Sequence, residues 1–376
     1  MVRRVPVAQS DGFHDAHSVR VCPDLKWGIP VIRQNAFDSV AGRSLLETSP
    51  FPSTRRKGMS PPKLDLKPVD QAEIQFLIDN YVDTLLPNQE CVMRPPMSDD
   101  QGFMKTPLLA EHGLSLLIRT YEGDTAHTVL MDGGVSVKGL LHNVERLEVD
   151  LSSVEAVFLS HGHVDHRTAL AEMIERTGKK DLPVHFHPDA YLNRRAIMPD
   201  GKHHIMPPFQ KERIIQAGAQ IRTGKEPKLL GEATMALTGQ IERKTDFEQG
   251  FPIHYCEREG ELVPDPWIWD DQSLIIHVRD KGLVVVTGCG HSGIVNTVHH
   301  ARETTGVQDV LAIMGGFHLT GGIFEPIIDP TVEALMEIDP RWLVPTHCTG
   351  WKAVRQFQEK FPERFIQNSV GTTYQF

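Results

Sequence analysis

The chain has 376 residues with 39 basic and 49 acidic side chains, a net charge of −10 with histidine neutral. That length admits one large α/β domain with extensions or two average domains, and the negative balance removes the basic face that nucleic acid or an anionic membrane would need. No apolar run is long enough to cross a bilayer, and the five cysteines at 22, 91, 256, 289 and 348 show no C-x-x-C spacing, so no disulfide framework is expected and a reducing, cytoplasmic compartment fits.

Residues 1–68 are rich in Pro, Ser and Arg (S-P-F-P-S-T-R-R-K-G-M-S-P-P-K) with little hydrophobic periodicity. They predict an extended arm that wraps a neighbouring surface, which makes a homodimer an expectation, ahead of a folded domain over 69–376. The twin arginine near the start lacks an apolar stretch behind it, so no export signal is expected. I-Q-F-L-I-D-N-Y (74–81) reads as a strand, and an irregular segment with Pro95, Pro96 and Pro107 follows. L-S-L-L-I-R-T-Y and H-T-V-L-M-D-G-G, split by E-G-D, form a hairpin. V-E-A-V-F-L-S (154–160) is near-continuously apolar, as a strand covered on both faces would be, and a helix over 167–177 closes on Gly178. L-P-V-H-F-H is a further short strand, leading into an irregular stretch rich in Pro, Arg and His over 188–210.

The second half repeats the order. S-L-I-I-H-V and L-V-V-V-T make a hairpin around R-D-K-G, then come a helix over 293–303, the strand L-A-I-M, a helix over 331–338, the strand W-L-V-P and a last helix from Trp351. Strand-rich and then alternating in each half, this order predicts an α/β four-layer αβ/βα sandwich, with helices outside two mixed sheets.

Chemistry concentrates in L-S-H-G-H-V-D-H, where His161, His163, Asp165 and His166 follow the apolar strand. Imidazole and carboxylate suit zinc foremost, and iron or manganese as well. Three histidines and an aspartate from one turn cannot all close on one small ion, so two adjacent divalent ions are expected, each completed from elsewhere. Further donors stand just past apolar strands: Cys289 and His291 in T-G-C-G-H-S-G, His318 in G-G-F-H-L, and His347 and Cys348 in P-T-H-C-T-G. Glycines at such strand ends allow close backbone approach. Asp132 in M-D-G-G reads as a carboxylate that orients a ligating histidine. His318 and Cys289 are each either ligands or packing groups at this level. His185 and His187 alternate on a strand and read as structural. Arg194, Arg195 and Lys202, with His203 and His204, belong either to a solvated loop or to a lid that meets an anionic substrate.

The motifs H-x-H-x-D-H and M-D-G-G resemble those of the metallo-beta-lactamase superfamily. With A-E-H-G-L-S-L-L-I, L-T-G-Q-I-E-R, T-G-C-G-H-S-G-I-V-N-T, G-G-F-H-L and P-T-H-C-T-G, the chain from about residue 70 onward is similar to the dihydropterin–ribofuranosylaminobenzene-phosphate-synthase-like branch. The resemblance implies that His161 and His163 bind one ion with a third group, and that Asp165 and His166 bind the other with His347. Two places depart from the superfamily pattern. D-P-W-I-W-D-D-Q stands where a histidine is usual, and Cys289 where T-G-D has an aspartate. His291 is the best substitute ligand and Asp271 a weaker one, and the bridging residue stays open.

Water between two divalent ions ionises near neutral pH. The leading expectation is therefore a metal-dependent hydrolase of a small anionic or heteroaromatic substrate, with Asp165 orienting the nucleophile. The resemblance also implies a rival, a transferase that condenses a dihydropterin pyrophosphate with an aromatic ribosyl phosphate. A non-catalytic metal-site ligand sensor is the third reading.

Overall fold

The computed structural model describes residues 61–376, so most of the expected arm, with Cys22, lies outside the described residues. Side-chain alternation sets the layering. In the strand Ser115–Glu122, Leu116 and Ile118 join a core shared by two sheets, whereas Leu117 between them packs outward against helices. The same holds in the second half: Val284, Val286 and Met314 face the shared core and Ile313 and Leu343 face helices. Helix, sheet, sheet, helix is the result, the four-layer sandwich expected of the sequence.

Each sheet changes character half-way across. The first has eight strands in the order Val92–Met93, Thr373–Gln375, Gln71–Ile78, Ser115–Glu122, Thr125–Met131, Ala156–Phe158, Leu182–Phe186 and Ala219–Thr223. Its pairs are antiparallel up to Thr125–Met131 and parallel beyond. The second has six strands in the order Lys228–Leu230, Met235–Leu237, Ser273–Val278, Gly282–Thr287, Val310–Gly316 and Trp342–Thr346. Its last two pairs are parallel. Open parallel strands bind ligands beyond their carboxyl ends, and every motif rich in metal donors follows such an end.

The segment 188–210, expected as irregular, instead supplies strands Arg194–Ile197 and His203–Ile205. With His254–Arg258 and Glu261–Pro264 they make a third sheet of four strands. The helix expected over 167–177 starts earlier and is broken, as Val164–Arg167 and Leu170–Arg176. The break has a cause. The N–H groups of Thr168 and Ala169 donate to the carbonyls of Gly134 and Gly133 at 3.0 and 2.9 Å rather than along the helix. Gly133 permits this approach, since a Cβ there would lie 2.7 Å from Leu170 N.

Residues 64–69 run along the second sheet. Leu64 N donates to Thr304 O, Lys67 N donates to Ala233 O, and Leu66 is buried beside Ile275 and Leu283. No helix among the described residues is long and apolar enough to cross a membrane.

Candidate metal centre

The loop that leaves Phe158 is held from both sides before any donor is placed. Asp132 Oδ1 accepts from Ser160 N at 2.7 Å, and Asp270 Oδ2 accepts from Gly162 N at 2.8 Å. Gly162 also packs where a Cβ would meet Ala190 O at 2.3 Å. Pinned in this way, the loop projects His161 and His163 and then winds into the short helix that carries Asp165 and His166.

Two donor sets result. His161, His163 and His291 form one, and Asp165, His166, Cys289 and His347 the other, the ligand atoms of each lying within 4.8 Å of one another. The rings of His161 and His166 are 4.3 Å apart between centroids, so the sets adjoin. Every member is buried except Asp165, whose side chain is 17% exposed. Buried polar nitrogens normally find partners, yet Nε2 of His161 has none, and Nε2 of His347 makes no aligned hydrogen bond, with only Asp165 Oδ2 beside it at 3.3 Å. Unsatisfied nitrogens converging with a carboxylate and a thiol fit a cation.

Charge supports the same reading. Burial, reinforced by the neighbouring imidazoles, pushes His161, His163 and His291 well below the ordinary histidine range, which leaves their lone pairs free. In the other set burial alone would raise the Asp165 carboxyl. His166 and His347 override it and hold Asp165 well below the usual carboxylate range.

Outer contacts orient the rings. His166 Nδ1 donates to Asp132 Oδ2 at 2.7 Å, and Nε2 points toward Cys289 Sγ, 3.2 Å away. His347 is held by residues the sequence did not flag. Asp79 Oδ1 accepts from its N–H at 3.1 Å, and Asn80 Nδ2 donates to its carbonyl at 2.8 Å. His254, also unflagged, places Nε2 3.0 Å from His163 Nε2 while its Nδ1 lies 3.2 Å from the carbonyl of Asp265. His112, 64% exposed, stacks on His347 with centroids 4.9 Å apart. Two ring-bearing residues sit in left-handed backbone, His318 at φ 44° and His347 at φ 50°, a strain of about 1–3 kcal/mol each that functional sites commonly hold. Asp132→Asn is expected to weaken metal affinity about 10–100-fold with little change in the far-ultraviolet circular dichroism. Equilibrium dialysis against a competing chelator measures this, and unchanged affinity would remove Asp132 from the role.

Other expected site residues stand elsewhere. Asp271 joins neither set. Its Oδ2 accepts from Ser292 N at 2.9 Å, beside His291, and burial pushes its carboxyl up to about 6. Arg194, expected at a substrate, is buried; its Nε donates to Asp265 at 2.9 Å and its Nη1 to Asp270 at 2.8 Å, so its charge is spent on interior carboxylates. Arg195 pairs with Glu257, and Lys202 pairs with Asp200 at 2.8 Å on the exposed surface. His203 and His204 are exposed on an edge strand, and His187 Nε2 lies 3.2 Å from Gln240 Oε1, away from both sets. His318 lies beside Cys289 and His291.

Comparison with known proteins agrees with this geometry. The family model described as the metallo-beta-lactamase superfamily matches residues 110–304. A 7,8-dihydropterin-6-methyl-4-(beta-D-ribofuranosyl)-aminobenzene-5'-phosphate synthase of Methanocaldococcus jannaschii is 30% identical over 283 residues, 74% of this chain and 95% of its own. A functionally uncharacterised protein of the same organism is 30% identical over 276 residues, 73% of this chain and 96% of its own. The crystal structure of Tm1679, a metal-dependent hydrolase of the beta-lactamase superfamily, superposes with a TM-score of 0.61 at 24% identity, covering 80% of this chain and 98% of that one.

Proposed function

Because the chain belongs to the metallo-beta-lactamase superfamily, we propose that it is a metal-dependent hydrolase with a two-ion centre. The observation that carries this is the pair of adjoining donor sets, one of three neutral imidazoles and one with a carboxylate at its exposed edge. His161, His163 and His291 would hold one divalent ion, with zinc the best match to the donors, and Asp165, His166 and His347, closed by Cys289, the other. Such ions, when bound, make water acidic and polarise a carbonyl or phosphoryl group.

The chain's own residues do the rest. Asp165, the one partly exposed member of the two sets, with Oδ2 3.3 Å from His347 Nε2, would orient a water and take its proton. Asp132 keeps the proton on His166 Nδ1, so Nε2 stays a donor to the ion. Aromatic rings adjoin the donors: His112 stacks on His347, and Phe251 and Phe324 lie beside His318. With Arg194 withdrawn into the interior, a planar heteroaromatic group suits this rim better than a strongly anionic one.

A specific observation favours the transferase as the second reading: the 30% identity runs over 95% of the synthase. Metal-loaded protein given a pyrophosphate ester with and without an aromatic acceptor separates the two. Hydrolysis releases product in water alone, whereas pyrophosphate release that waits for the acceptor gives the answer to the transferase. Absence of any turnover with ions bound would leave the ligand sensor.

A further inference from the structure

His254 belongs to neither donor set, yet its ring ends on one of the donors. It opens the strand His254–Arg258 of the third sheet, stands opposite Ala196 there, and is fully buried. Two contacts run through the ring. Nδ1 lies 3.2 Å from the carbonyl oxygen of Asp265, with a carboxylate oxygen of the same residue at 3.5 Å. Nε2 lies 3.0 Å from His163 Nε2. On the far side of His163, its Nδ1 stands 3.2 Å from Nε2 of His291.

These contacts fix where the protons sit. A carbonyl oxygen only accepts, so a neutral His254 carries its proton on Nδ1 and keeps Nε2 as an acceptor. His163 Nε2 must then donate, which puts the lone pair of His163 on Nδ1. The opposite assignment would aim a lone pair of His254 at two oxygens of Asp265 with no proton between them. Asp265 is itself held in place: its N–H donates to the carbonyl of His254 at 2.8 Å, and its carboxylate accepts from Arg194 Nε at 2.9 Å. The lone pair left on His163 points at the first donor set. Two nitrogens bound to one tetrahedral zinc at about 2.0–2.1 Å stand about 3.3–3.4 Å apart, close to the 3.2 Å between His163 Nδ1 and His291 Nε2.

We propose that His254 is a positioning residue: it accepts the Nε2 proton of His163 in a hydrogen bond and so presents Nδ1 of that ring to the ion. The inference rests on reading His161, His163 and His291 as the holders of one ion. His161 offers the other ring nitrogen, Nε2, which has no partner, while its Nδ1 lies 3.0 Å from Ser160 Oγ. Two histidines of one loop thus reach a common point through different atoms, and the choice at His163 is made by a residue 91 positions downstream. A ligating imidazole whose remaining N–H donates to a partner is both oriented and made more basic.

Two substitutions separate this role from packing. His254→Phe keeps a ring to stack on Phe251, whose centroid is 5.7 Å away at 25°, but has no acceptor. His254→Gln gives up the ring and brings an amide oxygen that can accept from His163. Zinc affinity of the full-length protein is measured by competition with a chelator. His254→Phe is expected to lose about 10–100-fold in affinity for one ion, and His254→Gln to recover part of that loss. If His254→Phe holds zinc as well as His254→Gln or better, the ring only packs and the proposal fails. A second readout needs neither variant nor ion. Nitrogen NMR of the chelator-stripped, histidine-labelled protein at mildly alkaline pH, with His163 assigned through His163→Ala, is expected to show His163 protonated on Nε2. Protonation on Nδ1 would overturn the proposal. Should the unmodified protein bind no divalent ion, the two-ion reading falls, and the position of that proton alone decides what His254 does.

Discussion

Asp165→Asn is expected to lower turnover by about 10²–10⁴-fold in a protein that stays folded. Asp165 Oδ2 sits 3.3 Å from His347 Nε2, 3.7 Å from His166 Nε2 and 3.8 Å from His112 Nε2, so one oxygen faces three imidazoles. The opposing imidazoles keep it anionic across the working pH range despite its burial. Asparagine preserves the shape but brings no charge and cannot take a proton. Elemental analysis should show the ion of that set weakened while the one held by His161, His163 and His291 persists, and His163→Ala should show the converse. Wild-type metal content and turnover in both variants would sink the hydrolase and leave the fold untouched.

The second large effect is on stability. Among the described residues, Arg194 is the sole arginine or lysine within ion-pair distance of Asp265 or Asp270, and all three groups are buried. Arg194→Met strands two carboxylates in the interior, and removing one partner of a buried pair typically costs about 3–5 kcal/mol. A fall of roughly 5–8 °C in melting temperature follows at this size. Arg194→Met combined with Asp265→Asn and Asp270→Asn should recover part of the loss, because the stranded charge is then gone. If Arg194 instead met the substrate, as the lid reading of its segment would have it, KM would rise with the melting temperature unchanged.

That residue also shows where sequence reasoning stops. A charge run in a loop looks the same whether it is solvated or paired, and the partners of Arg194 lie 71 and 76 positions downstream. The paired sheets were legible because short, near-continuous apolar runs, such as L-S-L-L-I and L-V-V-V-T, mark strands covered on both faces. The donor loop was legible through density, with four donors in six positions, and Asp132 through its place in M-D-G-G at a strand end. Asp79, Asn80, His112 and His254 carry no comparable signal, being single polar residues whose role appears only when a distant ring arrives. The third sheet hid because R-R-A-I and H-H-I are short and charged. Nor can the break at Ala169 be read locally, since the diverting carbonyls belong to Gly133 and Gly134.

His254 carries a consequence for anyone who would re-engineer this chain. The small sheet that bears it is separate from the two main sheets and so invites replacement as a unit. Yet this sheet reaches back to grip His163 at 3.0 Å and, through Arg194 and Asp270, the amide of Gly162. A graft that replaces it will therefore alter ion retention together with selectivity, and loops traded at this position must carry a histidine and an arginine–aspartate pair with them.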